Sequence, residues 1–414
     1  MMLLSAIKFT SRSVNRTTFG FRFSERVSSV LKDAYITGTG MSEVGRGLIR
    51  HPMLLTLDAV KEALDESGLT IDQIDGVSTY PGRMAGYLGY SPLGAEDLVE
   101  ALRMKATWYL GAMEHTSQLG AVVAAVGAVQ SSQARHVICF RTVYEAAALE
   151  RPDDWPAKTS ELIEGWPSWF APFHSYSASC NFAQHASRHF SQYEMTREQL
   201  AQIALTDRKN GLLNPRALVR EPLTMDQYMS ARMISSPLCL YDCDRYTDGS
   251  TVLIISAADA IDEVKCTPIR IAAMASAYGV PNWDQPDWYA AYQTGPQLWQ
   301  NTDYKPKDVD VAQLYDGFSF ITCQWLEGLG FCDVGEVGDF IEGGNNIALD
   351  GGLPINTGGG QLAGGRLHGF IQPWEAALQL RGNGGARQVS QIPKVAAVAV
   401  GGGPQATAML LTTD

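Results

Sequence analysis

Alternating β-branched and aromatic residues in Ala34-Tyr-Ile-Thr-Gly-Thr-Gly40 predict a strand that stops at glycines. Apolar residues then recur at helical spacing, at Leu57, Val60 and Leu64, and Gly68 falls where a helix through Ser67 needs its C′ residue. Ile74 to Thr79 reads as the next strand, and Leu119 to Gln130, rich in Ala, Val and Gly, as a helix buried all round. His136 to Phe140 and Asp248 to Ser256 are near-continuous apolar runs, the pattern of buried strands. A second series starts with strand material from Ile269 to Ala275. It continues with a strand at Val309 to Leu314, a helix at Phe318 to Leu329, a glycine-rich loop, a helix at Ile371 to Leu380 and a closing strand at Val395 to Val400. The second series repeats the logic of the first. A repeat of more than about 100 residues is a doubled domain and not a solenoid.

Between about 145 and 235 the texture changes to Trp, Pro and aromatic residues, with Trp155, Trp166 and Trp169. Helices with clear start signals follow, among them a capping box at Thr196-Arg-Glu-Gln199 that opens a helix through Ala204. This stretch reads as an insertion. The expected organisation is a basic, unstructured extension over 1–33, an N-terminal half over 34–265 carrying the insertion, and a C-terminal half over 266–414. The tryptophans of the insertion, with Trp283 and Trp288 after it, either line an apolar channel or simply pack.

Composition narrows the function. Apolar residues are 45% and charged residues 18% of 414, and no apolar run approaches the ~20 residues that span a bilayer, so a folded protein without a membrane span is expected. The net charge of −12, without a basic stripe, argues against nucleic acid as a partner. The first 32 residues reverse that sign, with Lys8, Arg12, Arg16, Arg22, Arg26 and Lys32 against Glu25. This is the composition of an organelle transit peptide and equally of an upstream start read into a bacterial protein. The 7 cysteines are odd in number and lack zinc-ligand spacing, which suits reduced thiols in the cytoplasm and no metal site. His185 and His189 lie four apart without a metalloprotease pattern; with His174 they are expected to be surface or structural residues.

The 40 glycines concentrate at Gly343-Gly344 with Gly351-Gly352, at Gly358 to Gly369, and at Gly401 to Gly403. Such loops let backbone approach a ligand and present N–H groups to phosphate or to a developing oxyanion; tight turns would use them equally well. No G-x-G-x-x-G follows the first strand and no P-loop occurs, so dinucleotide and nucleotide readings fail.

Thr196-Arg-Glu-Gln-Leu-Ala, Asn214-Pro, Arg220-Glu-Pro-Leu-Thr, Leu240-Tyr-Asp-Cys-Asp with Asp248-Gly, Asn356-Thr-Gly-Gly-Gly and the Gly401 to Gly403 loop occur in this order. Over about residues 34 to 414 the sequence thereby resembles the thiolase superfamily, on the branch of sterol carrier protein X type thiolases and thiolase-like steroid side-chain aldolases. The resemblance implies an α/β fold of five layers, αβαβα, made of two duplicated halves with an inserted loop domain. It also implies acyl-CoA thioesters as substrates, no covalently bound cofactor, a homodimer, and a small zinc-ribbon and OB-fold partner protein that completes the site.

The departures from that family matter more than the match. The thiolase nucleophile position reads His115, the second thiolase cysteine falls on Ala399, and the histidine of the Gly-His-Pro motif falls on Arg366. Claisen chemistry through an acyl-enzyme needs a thiolate, so a working thiolase is not expected. The remaining candidates are His115, Tyr315, Asp316, Arg366, His368 and Tyr246, with backbone N–H groups of Gly359, Gly360, Gly402 and Gly403 as oxyanion donors. These are acid–base and electrostatic groups. They suit retro-aldol cleavage of a bulky β-hydroxyacyl-CoA, with Tyr315 as a base favoured by Arg366 and with His115 or His368 donating to the thioester oxygen. Arg366 pairing with Asp316 or a substrate phosphate, Tyr246 or Tyr315 acting only in packing, an acyltransferase with different apparatus, and a non-catalytic acyl-CoA binding subunit are the alternatives.

Overall fold

The computed structural model describes residues 33–413 apart from 85–88, 113, 116, 151–167, 169–170, 176 and 280–288. The basic extension and Trp155, Trp166, Trp169, Trp283 and Trp288 lie outside the described residues.

The first half runs β1 (Ala34–Met41), α1 (Pro52–Ser67), β2 (Gly76–Thr79), α2 (Ala95–Leu102), β3 (Trp108–Gly111), α3 (Gly120–Gln130), β4 (His136–Tyr144) and the short α4 (Glu145–Glu150). The inserted stretch carries α5 (Ala178–Tyr193), α6 (Arg197–Leu213), α7 (Met225–Met229), β5 (Met233–Ser235) and β6 (Leu238–Cys239), and β7 (Asp248–Ala257) returns to the sheet. The second half is β8 (Ile269–Tyr278), α8 (Ala290–Gln300), β9 (Val311–Leu314), α9 (Ser319–Gly328), α10 (Val337–Ile341), α11 (Ile371–Leu380), β10 (Val395–Gly402) and β11 (Gln405–Thr412).

Among the described residues nine strands form one sheet in the order β3-β2-β4-β7-β1-β8-β11-β10-β9. Outward from the central β1–β8 contact the two sides match. Each has two antiparallel pairings, β1–β7–β4 and β8–β11–β10, and then a parallel one, β4–β2 and β10–β9. Ile355 even bridges Ala312 of β9 in parallel, as β3 does β2. This is the duplication expected from the sequence, and the two halves share one compact unit from Lys32 onward.

Alternation along β4 sets the layers. Val137, Cys139 and Val143 belong to the core that contains α3, whereas Ile138 and Phe140 pack with Ala59, Val60 and Ala63 of α1 and Leu98 of α2. A sheet with helices on both faces follows. Two expectations need correction. Helix α3 is not buried all round, because Gly127 is exposed and Val123 and Ala124 are half-buried. Nor does β10 close the fold: the run after the glycine triplet turns back as β11 and inserts between β8 and β10.

The helix signals behave as expected. Gly68 takes φ 74° and donates its N–H to the Leu64 carbonyl at 2.8 Å, while Thr196 and Gln199 form the reciprocal capping box of α6. Helix α1 starts five residues before the first apolar signal, with Pro52 at its first turn and the His51 ring accepting from the Met53 N–H.

Close approach of β1 to α1 depends on glycine. A Cβ on Gly40 would lie 2.0 Å from the Ala59 carbonyl oxygen, whereas one on Gly127 would meet nothing within 4 Å. Gly40→Ala is therefore expected to destabilise by about 1–3 kcal/mol, and Gly127→Ala to be neutral or to stabilise by up to about 1 kcal/mol. Urea denaturation of both variants checks the contrast; equal effects would refute the packing assignment.

Candidate active site

The second series delivers Arg366 and His368 in the tight bend before α11. Gly365, His368 and Gly369 take φ of 129°, 48° and 84°, and the Arg366 N–H donates to the Thr247 hydroxyl at 3.2 Å. A left-handed conformation is unusual for histidine and costs on the order of 1 kcal/mol or more. Strand β4 delivers Glu145 at its end. Its neighbour Tyr144 donates from its N–H to the Gly89 carbonyl at 2.7 Å, which holds Gly89 and Tyr90 beside the site.

Arg366 lies between two carboxylates, its Nη1 3.2 Å from Glu145 Oε2 and its Nε 3.4 Å from Asp244 Oδ2. Tyr246, half-exposed, stacks on the same guanidinium at 4.9 Å. His368 Nε2 faces Glu145 Oε2 at 3.4 Å, and its ring meets the edge of Tyr90. Arg141, wholly buried on β4, lies over Tyr90 at 4.8 Å and donates to the Tyr90 carbonyl at 2.7 Å.

Asp244 reaches this cluster because Asp242, two residues before it, is clamped. It accepts from the hydroxyls of Tyr228 and Ser319, both at 2.6 Å, and from the Cys239 N–H at 2.7 Å. The Asp244 N–H then donates to the Gly317 carbonyl at 3.2 Å, which sets Asp244 beside the Tyr315–Phe318 bend. Tyr315 itself is anchored by its N–H to the Ala399 carbonyl at 2.8 Å.

Burial and this charge arrangement set the protonation states. Burial pushes Asp244 up to about 7 against the pull of Arg366, with Glu145 and Asp316 adding repulsion. Burial would also raise Glu145, but His368, Arg366 and Arg141 outweigh it and hold its carboxyl below the usual range. Burial pushes His368 down to about 3, reinforced by Arg366, so its imidazole is neutral. Tyr315 is raised by burial and then by Asp244, with Arg366 opposing. Arg366 stays charged because Asp244 and Glu145 outweigh its own burial.

Several expectations change. Tyr315, Arg366, His368 and Tyr246 do come together. Asp316 does not join them: its carboxylate accepts from the Gln361 N–H at 2.7 Å, the Leu362 N–H at 2.9 Å and the Gln372 side chain at 3.2 Å, and it pairs with Asp207 of α6. Arg366 pairs with Glu145 and Asp244, not Asp316. The Gly359 N–H is spent on the Asn356 carbonyl at 2.8 Å and is no oxyanion donor. A Cβ on Gly360 would lie 2.1 Å from Asp316 Oδ2, so that glycine permits the carboxylate to seat against the loop. Gly402 and Gly403 form the β10–β11 turn, and Gln405 at its far side donates to the His115 carbonyl at 3.3 Å. His115, half-buried, meets the cluster through Tyr80, whose ring centroid is 5.9 Å away; burial lowers its pKa. His174 is exposed, but His185 and His189 are buried, and His189 bonds Glu327 at 2.9 Å.

Sequence reasoning missed Asp244, Glu145, Arg141 and Tyr90. A lone arginine in the apolar run of β4 was a signal for Arg141, and Asp244 sits inside the Leu240-Tyr-Asp-Cys-Asp motif. Six thiols are shifted away from activation: burial pushes Cys239 up to about 11 and Cys243 to about 12, and raises Cys139, Cys266, Cys323 and Cys332.

A duplicated α/β sheet with these loops at one site defines a thiolase-type fold. A family model described as "Thiolase C-terminal domain-like" matches residues 274–413. A steroid side-chain-cleaving aldolase of Thermomonospora curvata is 27% identical over 92% of this chain and 98% of its own length. A 17-hydroxy-3-oxo-4-pregnene-20-carboxyl-CoA lyase of Mycobacterium tuberculosis is 29% identical over 84% and 92%. The solved Ltp2-ChsH2(DUF35) aldolase superposes with a TM-score of 0.80 at 26% identity, covering 93% of this chain and 99% of that one. Over most of its length the chain is thus similar to steroid side-chain-cleaving aldolases, and its last third matches the C-terminal domain of the thiolase superfamily.

The Asp207–Asp316 pair makes a pH prediction. Both carboxyls are raised by burial; Asp316 further disfavours ionisation of Asp207, whereas the hydrogen bond from Asp207 favours the charged form of Asp316. The folded state thus holds a proton that unfolded aspartates release near pH ~3.9, and stability falls as pH rises above that value. Asp207→Asn should flatten this fall, so that the variant gains on wild type between pH ~5 and pH ~8 in urea midpoints. Parallel profiles would show that the two carboxyls do not share a proton.

Proposed function

We propose that this protein is a carbon–carbon lyase that cleaves a bulky, steroid-like β-hydroxyacyl-CoA by a retro-aldol reaction. The observation that carries the reading is the buried Tyr315–Asp244–Arg366 cluster in a thiolase fold with His115 and Ala399 at the cysteine positions. The near-full-length match to a steroid side-chain-cleaving aldolase supports it.

The reaction needs only proton transfers and charge stabilisation. The β-hydroxyl loses its proton, the Cα–Cβ bond breaks as the carbonyl forms, and the bonding pair becomes the thioester enolate, whose α-carbon then takes a proton. The products are a ketone or aldehyde and a shortened acyl-CoA.

Asp244, near 7, is suited to accept the hydroxyl proton at neutral pH. Tyr315, raised by burial and by Asp244, stays a phenol and serves as a hydrogen-bond donor; the cation that would favour its phenolate is already neutralised by two carboxylates. His368 points Nε2 at Glu145, which leaves Nδ1 without a hydrogen to donate, so its role is to hold Glu145 and the bend. The thioester oxygen falls to neutral His115 and the backbone of the Gly402–Gly403 turn beside it. The enzyme works as a cytoplasmic homodimer without a covalently bound cofactor. A small zinc-ribbon and OB-fold partner completes its site, a reading supported by the solved aldolase that pairs Ltp2 with ChsH2(DUF35).

Asp244→Asn and Tyr315→Phe should each lower kcat for release of the ketone or aldehyde from a β-hydroxyacyl-CoA by at least ~100-fold. The Asp244 variant should also lose the acidic limb of the kcat/KM profile near pH ~7. If both variants stay within ~3-fold of wild type, the site is misassigned. Mass-spectrometric detection of an acyl-cysteine on turnover would instead return the protein to thiolase chemistry.

A further inference from the structure

Gln361 follows the Asn356-Thr-Gly-Gly-Gly run and is buried, yet the cluster described above makes no use of its side chain. Its main chain is tied to the Asp207–Asp316 pair, because its N–H donates to Asp316 Oδ2 at 2.7 Å. Its side chain reaches a second element. Gln361 Oε1 accepts from the Gly369 N–H at 3.3 Å, at the end of the bend that carries Arg366 and His368.

That contact settles which branch of the amide is which. A backbone N–H can only donate, so the atom it meets is the carbonyl oxygen, and the two N–H groups lie on the other branch. Among the described residues Gln361 Nε2 is buried without a close hydrogen-bond partner. The group within its reach is the Tyr315 hydroxyl, on which a hydrogen bond from the Gln361 side chain acts to favour the phenolate, as Arg366 does by its charge. Hydrogen bonds of catalytic groups are often long without substrate and tighten in the complex.

Tyr315 is placed to receive this donor. Its N–H is held by the Ala399 carbonyl, and a Cβ on Gly369 would lie 2.2 Å from Val400 Cγ1, so the bend is seated against the residue next to that anchor. The ring folds back over Gly317. A Cβ there would lie 3.0 Å from the Tyr315 hydroxyl oxygen, and the Gly317 carbonyl accepts the Asp244 N–H at 3.2 Å. The hydroxyl is thus shared between the loop that carries Gln361 and the segment that carries Asp244.

A tyrosine hydroxyl has one proton to give and an oxygen that accepts. An N–H on the oxygen leaves the proton to be directed elsewhere, and a neutral amide does this without adding charge beside Arg366. A lysine or arginine in its place would draw the phenol towards phenolate, and a carboxylate would take the proton for itself. We propose that Gln361 is a positioning residue for Tyr315: its amide donates to the phenol oxygen and so turns the Tyr315 proton towards the reacting oxygen of the substrate. The contact rests on the loop geometry; its consequence for catalysis rests on the lyase reading above.

Two readouts test this on the full chain with any co-purifying partner. The first is cleavage of a β-hydroxyacyl-CoA. Gln361→Leu should lower kcat at least ~10-fold with KM within ~3-fold of wild type, because the amide acts on Tyr315 and not on the acyl group. Gln361→Glu keeps the shape but donates only while protonated, and burial beside Tyr315 and Asp316 raises such a carboxyl. Its rate relative to wild type should fall at least ~5-fold from pH ~6 to pH ~9, while the Leu ratio stays level within ~2-fold. The second readout is NMR of ring-labelled tyrosine, with the Tyr315 signal assigned through Tyr315→Phe. Both Gln361 variants should move that signal and leave the other tyrosines in place, whereas a merely structural role would move several. A Leu variant whose kcat stays within ~3-fold of wild type, or whose KM rises while kcat holds, overturns the proposal. So does a Glu ratio that is level with pH, or a Tyr315 signal that neither variant moves. Where the Leu variant does not fold, the isosteric Glu variant carries both readouts. A Tyr315 signal that moves in a protein that cleaves no β-hydroxyacyl-CoA keeps the contact and overturns the lyase reading.

Discussion

The arrangement of charge around Arg366 governs the rest of the site. A largely buried guanidinium is tolerated only when its charge is compensated, and here two carboxylates bracket it, Glu145 at 3.2 Å and Asp244 at 3.4 Å. The two are not equivalent. Glu145 also faces His368 and Arg141 and is held ionised, whereas Asp244 has Arg366 as its main support and Glu145 and Asp316 as repellers. One cation and one firmly charged anion therefore cancel, and the second carboxyl titrates near neutrality. Removing a partner from such a buried pair typically costs about 3–5 kcal/mol, so the bend before α11 and the end of β4 are tied together by electrostatics as much as by packing.

That compensation explains why the neighbours are neutral. His368 and Tyr315 sit where field and burial both disfavour a second charge. A site built this way stabilises charge that develops during reaction through fixed dipoles and hydrogen bonds, with little standing charge to be solvated first. It is poorly suited to a thiolate, and the buried cysteines bear this out, since each thiol with a displaced pKa is displaced upward.

The layout of strands and helices was legible in the sequence because it depends on local periodicity. The runs at 34–40, 136–140 and 248–256 alternate or stay apolar, and the caps at Gly68 and Thr196 mark helix ends by side-chain chemistry alone. Strand β3, four residues with half its side chains exposed, carries too little pattern to be seen. The site was legible only in part. Tyr315, Arg366 and His368 could be placed by their motifs. Adjacent Asp316 could not be told from a pocket residue, because its fate is decided by backbone N–H groups some 45 residues away in sequence. Asp244 and Glu145 were missed for the same reason: their meaning lies in a contact with Arg366, and contact across such sequence distances leaves no local trace.

The inserted stretch is what converts this fold into a particular site. Helix α6 holds the glycine-rich loop from below, through Asn210 to the Ile355 and Asn356 carbonyls and through Asp207 to Asp316, with Asn214, just past its end, bonding the Gly358 carbonyl. Gly211 and Gly359 let helix and loop backbones touch. The same stretch supplies Asp244 to the cluster around Arg366, and Phe182 of α5 lies against the turn beside His115. Support for the glycine-rich loop and a carboxylate partner of Arg366 thus come from one segment between β4 and β7. The duplicated sheet contributes a frame whose loops alone, carrying Tyr315 and Arg366 but no Asp244, would lack the carboxyl beside Arg366 that titrates near neutral pH.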